Sequence, residues 1–378
     1  MPSYAVFGAG DIGCTVGIAL AAHGASVALV GRNSPTGLAL RNAAVENGAR
    51  VCHKRSKWTV SLTPRQCASI FTADATRLRE ADVIIVATKR ADNVAAAQAV
   101  AQHARPGAVV LMLQNGVGTA AELRGLLPPG TDVQIVECVV SMNAVRDVSD
   151  GALFHWVSPR DPSNPSFLLS AAGESIAADM HAAGLLAVST QSFEEVVHAK
   201  LLINSAYNAT VSLSGLNSLQ CLREPAYRRI MHAAIDEALE VYKGAGIAYE
   251  KAGVFKYIKF LKLPQPIVWC IVPFLLADEA RPSMYADLEN NRKTEVRYIN
   301  GHIIQLGKKA GVPTPVNQRL VDLVEAAERA AAGSPKVSAA SIADGLSLPE
   351  ESKPFVLHPI AIGLLSVAAA AGLAAVFL

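Results

Sequence analysis

Two groups of residues in this chain have the types and spacing to do chemistry. The first is Gly8-Ala9-Gly10-Asp11-Ile12-Gly13, a G-x-G-x-x-G pattern directly after the apolar run Tyr4-Ala5-Val6-Phe7. Gly8 would permit a tight turn, Gly10 would let the backbone approach a pyrophosphate, and Gly13 would let the next helix pack closely on the strand. The helix N-terminus would then offer N–H groups and a positive dipole end to the phosphates. The pattern is weak in isolation, but between a strand and a helix at the head of a βαβ unit it points to a dinucleotide. The end of the next apolar run, Leu29-Val30-Gly31-Arg32-Asn33, refines this. An acid there would accept the ribose 2′-hydroxyl and repel a 2′-phosphate, whereas Arg32 offers that phosphate a charge-assisted grip. NADPH (NADP when oxidised) is therefore the expected cofactor. Two further run ends carry Lys89, in Val86-Ala87-Thr88-Lys89, and Asn115, in Leu113-Gln114-Asn115-Gly116-Val117-Gly118. Open α/β sheets bind ligands outside the carboxyl ends of their strands. Lys89 could hold a phosphate and Asn115 could meet the nicotinamide or the substrate, although a solvated lysine and a turn asparagine would read the same.

The second group lies in His198-Ala199-Lys200-Leu201-Leu202-Ile203-Asn204-Ser205-Ala206-Tyr207-Asn208. On an α-helix Lys200, Asn204 and Asn208 form one stripe, drifting about 80° over roughly 12 Å, with Leu201, Leu202 and Ile203 away from it. Such a stripe on an apolar helix is either a wet surface or the wall of a binding site.

These groups need elements to position them. From residue 3 to residue 140, short apolar runs alternate with amphipathic stretches such as Asp92–His103. The runs are Tyr4–Phe7, Ser26–Val30, Val83–Ala87, Ala108–Leu113 and Val133–Val139. Runs this short and apolar suit strands buried on both faces, and their alternation with helices implies a Rossmann-type α/β fold with a doubly wound parallel sheet. The segment from Ser158 to Pro165 is turn chemistry. Beyond about Gln191 long helical patterns take over, namely Phe193–Ser214, Glu224–Gly244 and Ser283–Gly311, the last stopped by Gly311 and Pro313. The expected organisation is a dinucleotide-binding domain over 1–190, an all-helical domain over 191–332 with the active-site cleft between the two, a Ser-, Ala-, Gly- and Pro-rich linker over 333–354, and a hydrophobic tail over 355–378.

Composition removes several classes. A formal charge of +2 leaves no broad basic surface, so no nucleic-acid partner is expected, and the cluster His53-Lys54-Arg55-Ser56-Lys57 reads as a solvated loop. The six cysteines, Cys14, Cys52, Cys67, Cys138, Cys221 and Cys270, are scattered without a CxxC, which suits neither a metal site nor a disulfide framework and fits a reducing compartment. HExxH and GxSxG do not occur, so zinc-protease and hydrolase readings have no starting point. The chain opens on a strand-like run with no secretory pattern, and a cytoplasmic location is expected. Ile360 to Leu378 is uncharged for 19 residues. As a helix it would reach about 28 Å, close to the roughly 30 Å of a bilayer core, so a C-terminal transmembrane helix anchoring the protein is expected. Its richness in alanine leaves a helix packed on the protein body as the alternative.

Several motifs taken together resemble one family. They are the glycine turn, Arg32, Asn115-Gly116-Val117-Gly118, the K-L-x-x-N-x-x-x-N pattern from Lys200 to Asn208, Ser283-Met284 with Thr294-Glu295, and Gly311-Val312-Pro313-Thr314-Pro315-Val316-Asn317. In order and spacing, from the first strand to about residue 330, they resemble the ketopantoate reductases. The resemblance implies NADPH-dependent reduction of 2-dehydropantoate to pantoate, on the route to pantothenate and coenzyme A, by a monomer or homodimer. It implies Lys200 as general acid, Glu295 as the group that holds the substrate hydroxyl, Asn204 and Asn208 as substrate-binding amides, and Ser283 as the carboxylate ligand. Asn115 would sit at the junction of nicotinamide and substrate, and Arg32 with Lys89 would grip the 2′-phosphate end. A lysine beside the carbonyl oxygen would stabilise its developing charge and then protonate it, and Glu295 would help keep that lysine charged. The chain departs from the family pattern at Pro282 and in the long apolar insertion from Tyr257 to Asp278, which bear on the substrate more than on the reaction. The same chemistry on another 2-oxo acid or ketone, and a non-catalytic NADP-binding sensor, are the alternatives.

Overall fold

The structure is a computed structural model that describes residues 1–54, 56–147, 152–157, 165–269 and 281–348. The chain divides into two compact units, Met1–Phe193 and Glu194–Leu378.

The first unit contains β1 (Tyr4–Phe7), β2 (Val27–Val30), β3 (Ala49–His53), β4 (Thr59–Leu62), β5 (Phe71–Thr72), β6 (Val83–Val86), β7 (Ala108–Met112), β8 (Val133–Val140), β9 (Asn143–Asp147), β10 (Leu153–Val157), β11 (Phe167–Ser170) and β12 (Ala187–Thr190). Its helices are α1 (Asp11–Ala22), α2 (Pro35–Asn47), α3 (Pro64–Ile70), α4 (Asn93–His103), α5 (Thr119–Leu126) and α6 (Glu174–Ala182). Eight strands form one sheet in the order β12-β11-β8-β7-β6-β1-β2-β5. Alternation along each strand explains the unbroken apolar runs. Val6, Leu29, Ile85 and Leu111 join one core with Val16 and Leu20 of α1. Their neighbours Ala5, Ala28, Ile84 and Val110 join another core with Ala96 and Val100 of α4. Both faces are therefore covered, as a doubly wound parallel sheet requires.

Two features go beyond the expected parallel sheet. β11 runs antiparallel to β8, and a second sheet of four strands, β4-β3-β10-β9, mixes both directions. Val51, Leu62, Phe154 and Trp156 of this second sheet share the core that covers α1. His53 ends β3 and is buried against Trp156, which corrects its reading as part of a solvated basic loop, while Lys54 and Lys57 are exposed and Arg55 lies outside the described residues. Most of the turn segment 158–165 also lies outside them.

The second unit is helical: α7 (Phe193–Ser214), α8 (Ser218–Arg223), α9 (Pro225–Ala245), α10 (Lys251–Leu261), α11 (Ser283–Glu289), α12 (Val296–Ala310), α13 (Pro315–Ala330) and α14 (Ala339–Ala343). A buried polar chain ties four of them. Glu237 on α9 accepts the N–H groups of Val316 (2.7 Å) and Asn317 (2.9 Å) at the start of α13. Asn317 donates to Ala234 O (3.0 Å), and Asn300 on α12 donates both to Asn317 Oδ1 (3.0 Å) and to Ser205 O of α7 (2.7 Å). Arg228 on α9 is buried and donates to Leu222 O and Leu261 O, near the ends of α8 and α10, where cations suit the helix dipole.

Three expectations need revision here. The single helix read from Ser283 to Gly311 is two, because residues 290–295 break it. Asn291 takes a left-handed backbone (φ +52°), and Glu328 pulls Thr294 aside by accepting both its N–H (2.8 Å) and its hydroxyl (2.7 Å). The stretch read as linker is partly docked. Val337 N–H donates to Leu213 O (2.8 Å), Tyr227 donates to Val337 O (2.9 Å), and Ile342 of α14 is fully buried, because this polar stretch carries apolar anchors at those positions. Finally, no helix among the described residues is long and apolar enough to cross a membrane, which stands against the expected transmembrane helix. The longest described helix, α7, carries Glu194, Glu195 and Lys200 and so reads as a core helix. The segment 360–378 lies outside the described residues.

Candidate functional site

Parallel pairing builds the first half of the site. Phe7 of β1 stands opposite Val30 of β2 and Val86 of β6, and Val86 stands opposite Met112 of β7. The ladder continues one residue further: Gly8 N–H donates to Val30 O (3.0 Å), Ala87 N–H to Phe7 O (2.9 Å) and Leu113 N–H to Val86 O (2.9 Å). The glycine turn, Arg32, Lys89 and Asn115 therefore leave the sheet from the carboxyl ends of four adjacent parallel strands.

The glycines show why no other residue serves. Gly8 has φ +113°, and a Cβ there would lie 2.8 Å from the Ala87 backbone. At Gly13 a Cβ would fall 2.1 Å from Gly8 O, so α1 can sit this close to β1 only without a side chain. Gly10, the N-cap of α1, is different: a Cβ there meets nothing within 4 Å. Its bareness serves no internal contact and leaves the mouth of the turn open to a ligand, which is the fit a pyrophosphate needs. Ala9 and Ile12 pack on the core, and Asp11 is exposed in the first turn of α1.

Arg32 projects from the end of β2 with its side chain 84% exposed, and its guanidinium lies 4.0 Å from the carboxylate of Asp92. Lys89 is exposed at the end of β6, and Asn115 is half-buried after β7. Behind these ends lies a polar network that sequence reading missed. Gln114 donates to Thr88 O (3.1 Å) and to Asn93 Oδ1 (2.7 Å), and Asn93 donates to Glu122 Oε1 (2.9 Å). Arg90 donates to Glu122 Oε2 (2.5 Å) and to Val117 O (3.1 Å). It ties the turn that carries Lys89 to the loop that carries Asn115. Glu137 of β8 adds a carboxylate at the start of α5, accepting from Thr119 Oγ1 (2.9 Å) and Ala120 N–H (3.1 Å), where the helix dipole favours it. The sequence signal was only the nearness of Arg90, Asn93 and Gln114 to residues already singled out.

The second unit carries the stripe on α7. Lys200 and Asn204 are half-buried and Asn208 is buried, while Leu201 and Leu202 are in the core. The stripe is thus neither a wet surface nor a sealed core. Tyr207, between the two asparagines, is a further polar group on this helix. It donates to Ser218 Oγ, and burial pushes its hydroxyl up to about 12. Burial lowers the basicity of His198, whose Nδ1 lies 3.1 Å from the Tyr242 hydroxyl. Glu295 is the N-cap residue of α12 and only 7% exposed, although its sequence neighbours are rich in charge. The Asn300–Ser205 hydrogen bond packs the helix that Glu295 opens beside the Asn204–Asn208 part of α7. Ser283 is exposed at the first position of α11, after Pro282. The nucleotide-type residues and the lysine–asparagine residues thus fall in different units. Among the described residues no group of His, Cys, Asp and Glu could hold a metal ion.

The family description "Ketopantoate reductase PanE/ApbA" matches residues 4–155, and its C-terminal counterpart matches residues 192–328. A 2-dehydropantoate 2-reductase of Halobacterium salinarum is 26% identical over 330 residues, covering 86% of this chain and 98% of that protein. One from Archaeoglobus fulgidus is 24% identical, covering 85% and 97%. Among solved structures, a PanE/ApbA family ketopantoate reductase from Ralstonia eutropha superposes with a TM-score of 0.70 at 24% identity, covering 87% of this chain and 99% of that one. A D-mandelate dehydrogenase solved with NADH and anilino(oxo)acetate does so at 0.67 and 20% identity, with the same coverage.

Proposed function

The chain belongs to the ketopantoate reductase family, and from that premise we propose that it is an NADPH-dependent reductase of 2-dehydropantoate, yielding pantoate. The observation that carries the reading is the half-buried Lys200 aligned with Asn204 and Asn208 on one stripe of a core helix. A non-catalytic NADP-binding sensor has no use for a proton donor in such a setting.

The dinucleotide is held by the first unit. Gly8 to Gly13 and the N-terminus of α1 take the pyrophosphate, Arg32 and Lys89 take the 2′-phosphate, and Asn115 orients the nicotinamide end. Bound there, the nicotinamide supplies a hydride to C2 of the 2-oxo acid. The residues of the second unit do the rest. Lys200 holds its proton beside the carbonyl oxygen, stabilises the charge that develops there, and releases the proton to complete the 2-hydroxy acid. Asn204, Asn208 and Ser283 orient a small carboxylate with neutral donors and add no fixed charge. Glu295, kept from water, holds the hydroxyl that forms.

Loss of NADPH absorbance with 2-dehydropantoate, beside a panel of other 2-oxo acids and ketones, tests this. The expected result is kcat/KM highest for 2-dehydropantoate. A higher value for another acid would reassign the substrate, and no turnover with any of them would sink the enzymatic reading.

A further inference from the structure

We infer that Asp92 helps set the choice between NADPH and NADH, as a counterweight to Arg32. The inference deepens the proposed function and rests on its assignment of Arg32 to the 2′-phosphate.

Three observations carry it. The Asp92 carboxylate lies 4.0 Å from the Arg32 guanidinium, with the two side chains 39% and 84% exposed, so the pair stands at the open mouth of the site. Asp92 is also the N-cap residue of α4, where an aspartate normally accepts from the amides of the first turn, yet its side chain makes no capping hydrogen bond. Its backbone N–H donates to Lys89 O (2.9 Å), which folds the acid back into the turn that carries the second cation. The side chain therefore lies beside the Arg32 guanidinium and does not cap the helix.

The chemistry then runs in two directions. A 2′-phosphate arriving at Arg32 meets a negative charge already beside it, and that repulsion opposes NADPH. A 2′-hydroxyl meets a carboxylate able to accept its hydrogen bond, which favours NADH. A lone arginine gives a strict NADPH site, whereas an arginine faced by an aspartate gives a tempered one. At the exposed mouth the repulsion is a few-fold effect in affinity and is screened by salt.

The test measures dissociation constants for NADPH and NADH from the change in nicotinamide fluorescence, with the full chain at low and high salt. It compares wild type, Asp92→Asn, Arg32→Ala and the double variant. Asparagine is as good a capping residue as aspartate, so Asp92→Asn should fold normally. The expected result is that Asp92→Asn raises the preference for NADPH over NADH about fivefold at low salt, that salt shrinks this gain, and that Arg32→Ala abolishes it. A preference within twofold of wild type, or an equal change for both cofactors, would overturn the inference. Because binding needs no 2-oxo acid, an error in the proposed substrate leaves this test intact. A wild-type chain that binds neither dinucleotide would overturn the proposed function and the inference together.

Discussion

In the roles proposed for them, Lys200 and Arg32 place opposite demands on their surroundings. Lys200 must be close to a forming charge and shielded from water, and it is half-buried on a core helix. Lys200→Ala should therefore lower kcat on the order of 10²-fold or more while NADPH affinity changes little, as expected for loss of a general acid. Steady-state kinetics with a parallel binding titration checks this, and near wild-type turnover would remove Lys200 from the role. Arg32 must instead stay reachable by a diffusing anion, and it is largely exposed. Arg32→Asp should weaken NADPH far more than NADH, since it replaces attraction to the 2′-phosphate with repulsion. Equal rises in KM for both cofactors would show that Arg32 does not read the phosphate. Both positions could be singled out from type and spacing, because a cation at a strand end or on a helix stripe is a local feature, whereas the role proposed for Lys200 came from the family resemblance. Asp92 was not singled out, because its partner lies on another strand.

Among the elements, α14 separates a connector from a docked segment. Its composition is that of a linker, yet Ile342 is fully buried and Tyr227 and Leu213 hold the chain just before it. Ile342→Ala should cost about 2–4 kcal/mol, the range for truncating a buried aliphatic side chain. The urea midpoint reads this directly, and a midpoint equal to wild type would return the segment to linker status. The break between α11 and α12 has a similar origin. Helical periodicity runs through residues 290–295, but Glu328 on α13 captures Thr294 and sets Glu295 at the head of a new helix. Without that break Glu295 would stand in mid-helix among charged neighbours.

For the molecule as a whole, the ties between distant segments respond to pH. Burial by itself would raise the Glu328 carboxyl, but hydrogen bonds from Thr294 and the ammonium of Lys293 at 3.1 Å outweigh it and hold the group below its ordinary value. A carboxylate lowered in the folded state contributes stability that is present above its unfolded pKa and is lost as pH falls through its folded pKa. Glu328→Gln should therefore unfold at lower urea than wild type at neutral pH, and the two midpoints should converge once the medium is more acidic than the carboxylate range. A gap that persists in acid would mean that Glu328 acts by shape and not by charge. Glu237 has the opposite sign. Burial raises it despite three hydrogen bonds, so whatever stability its protonated form adds is lost as pH rises through its folded value.

The sequence by itself determined what neighbouring residues can encode. A glycine at a forced left-handed turn, a stripe of polar residues four apart, and apolar runs of strand length depend on φ/ψ and on side-chain spacing within a turn or two. These were enough for the Rossmann-type unit, the helical unit and the lysine–asparagine stripe. Tertiary structure decided which segments stand side by side. It set the strand order that aligns Gly8, Arg32, Lys89 and Asn115, the antiparallel β11 and the second sheet, and the meeting of Asp92 with Arg32. It also linked Gln114 and Arg90 through Asn93 and Glu122, and buried His53, Glu295 and Ile342 in polar stretches of sequence. Each of these results from packing summed over many distant contacts, where one apolar anchor or one well-placed carboxylate overrides the local pattern.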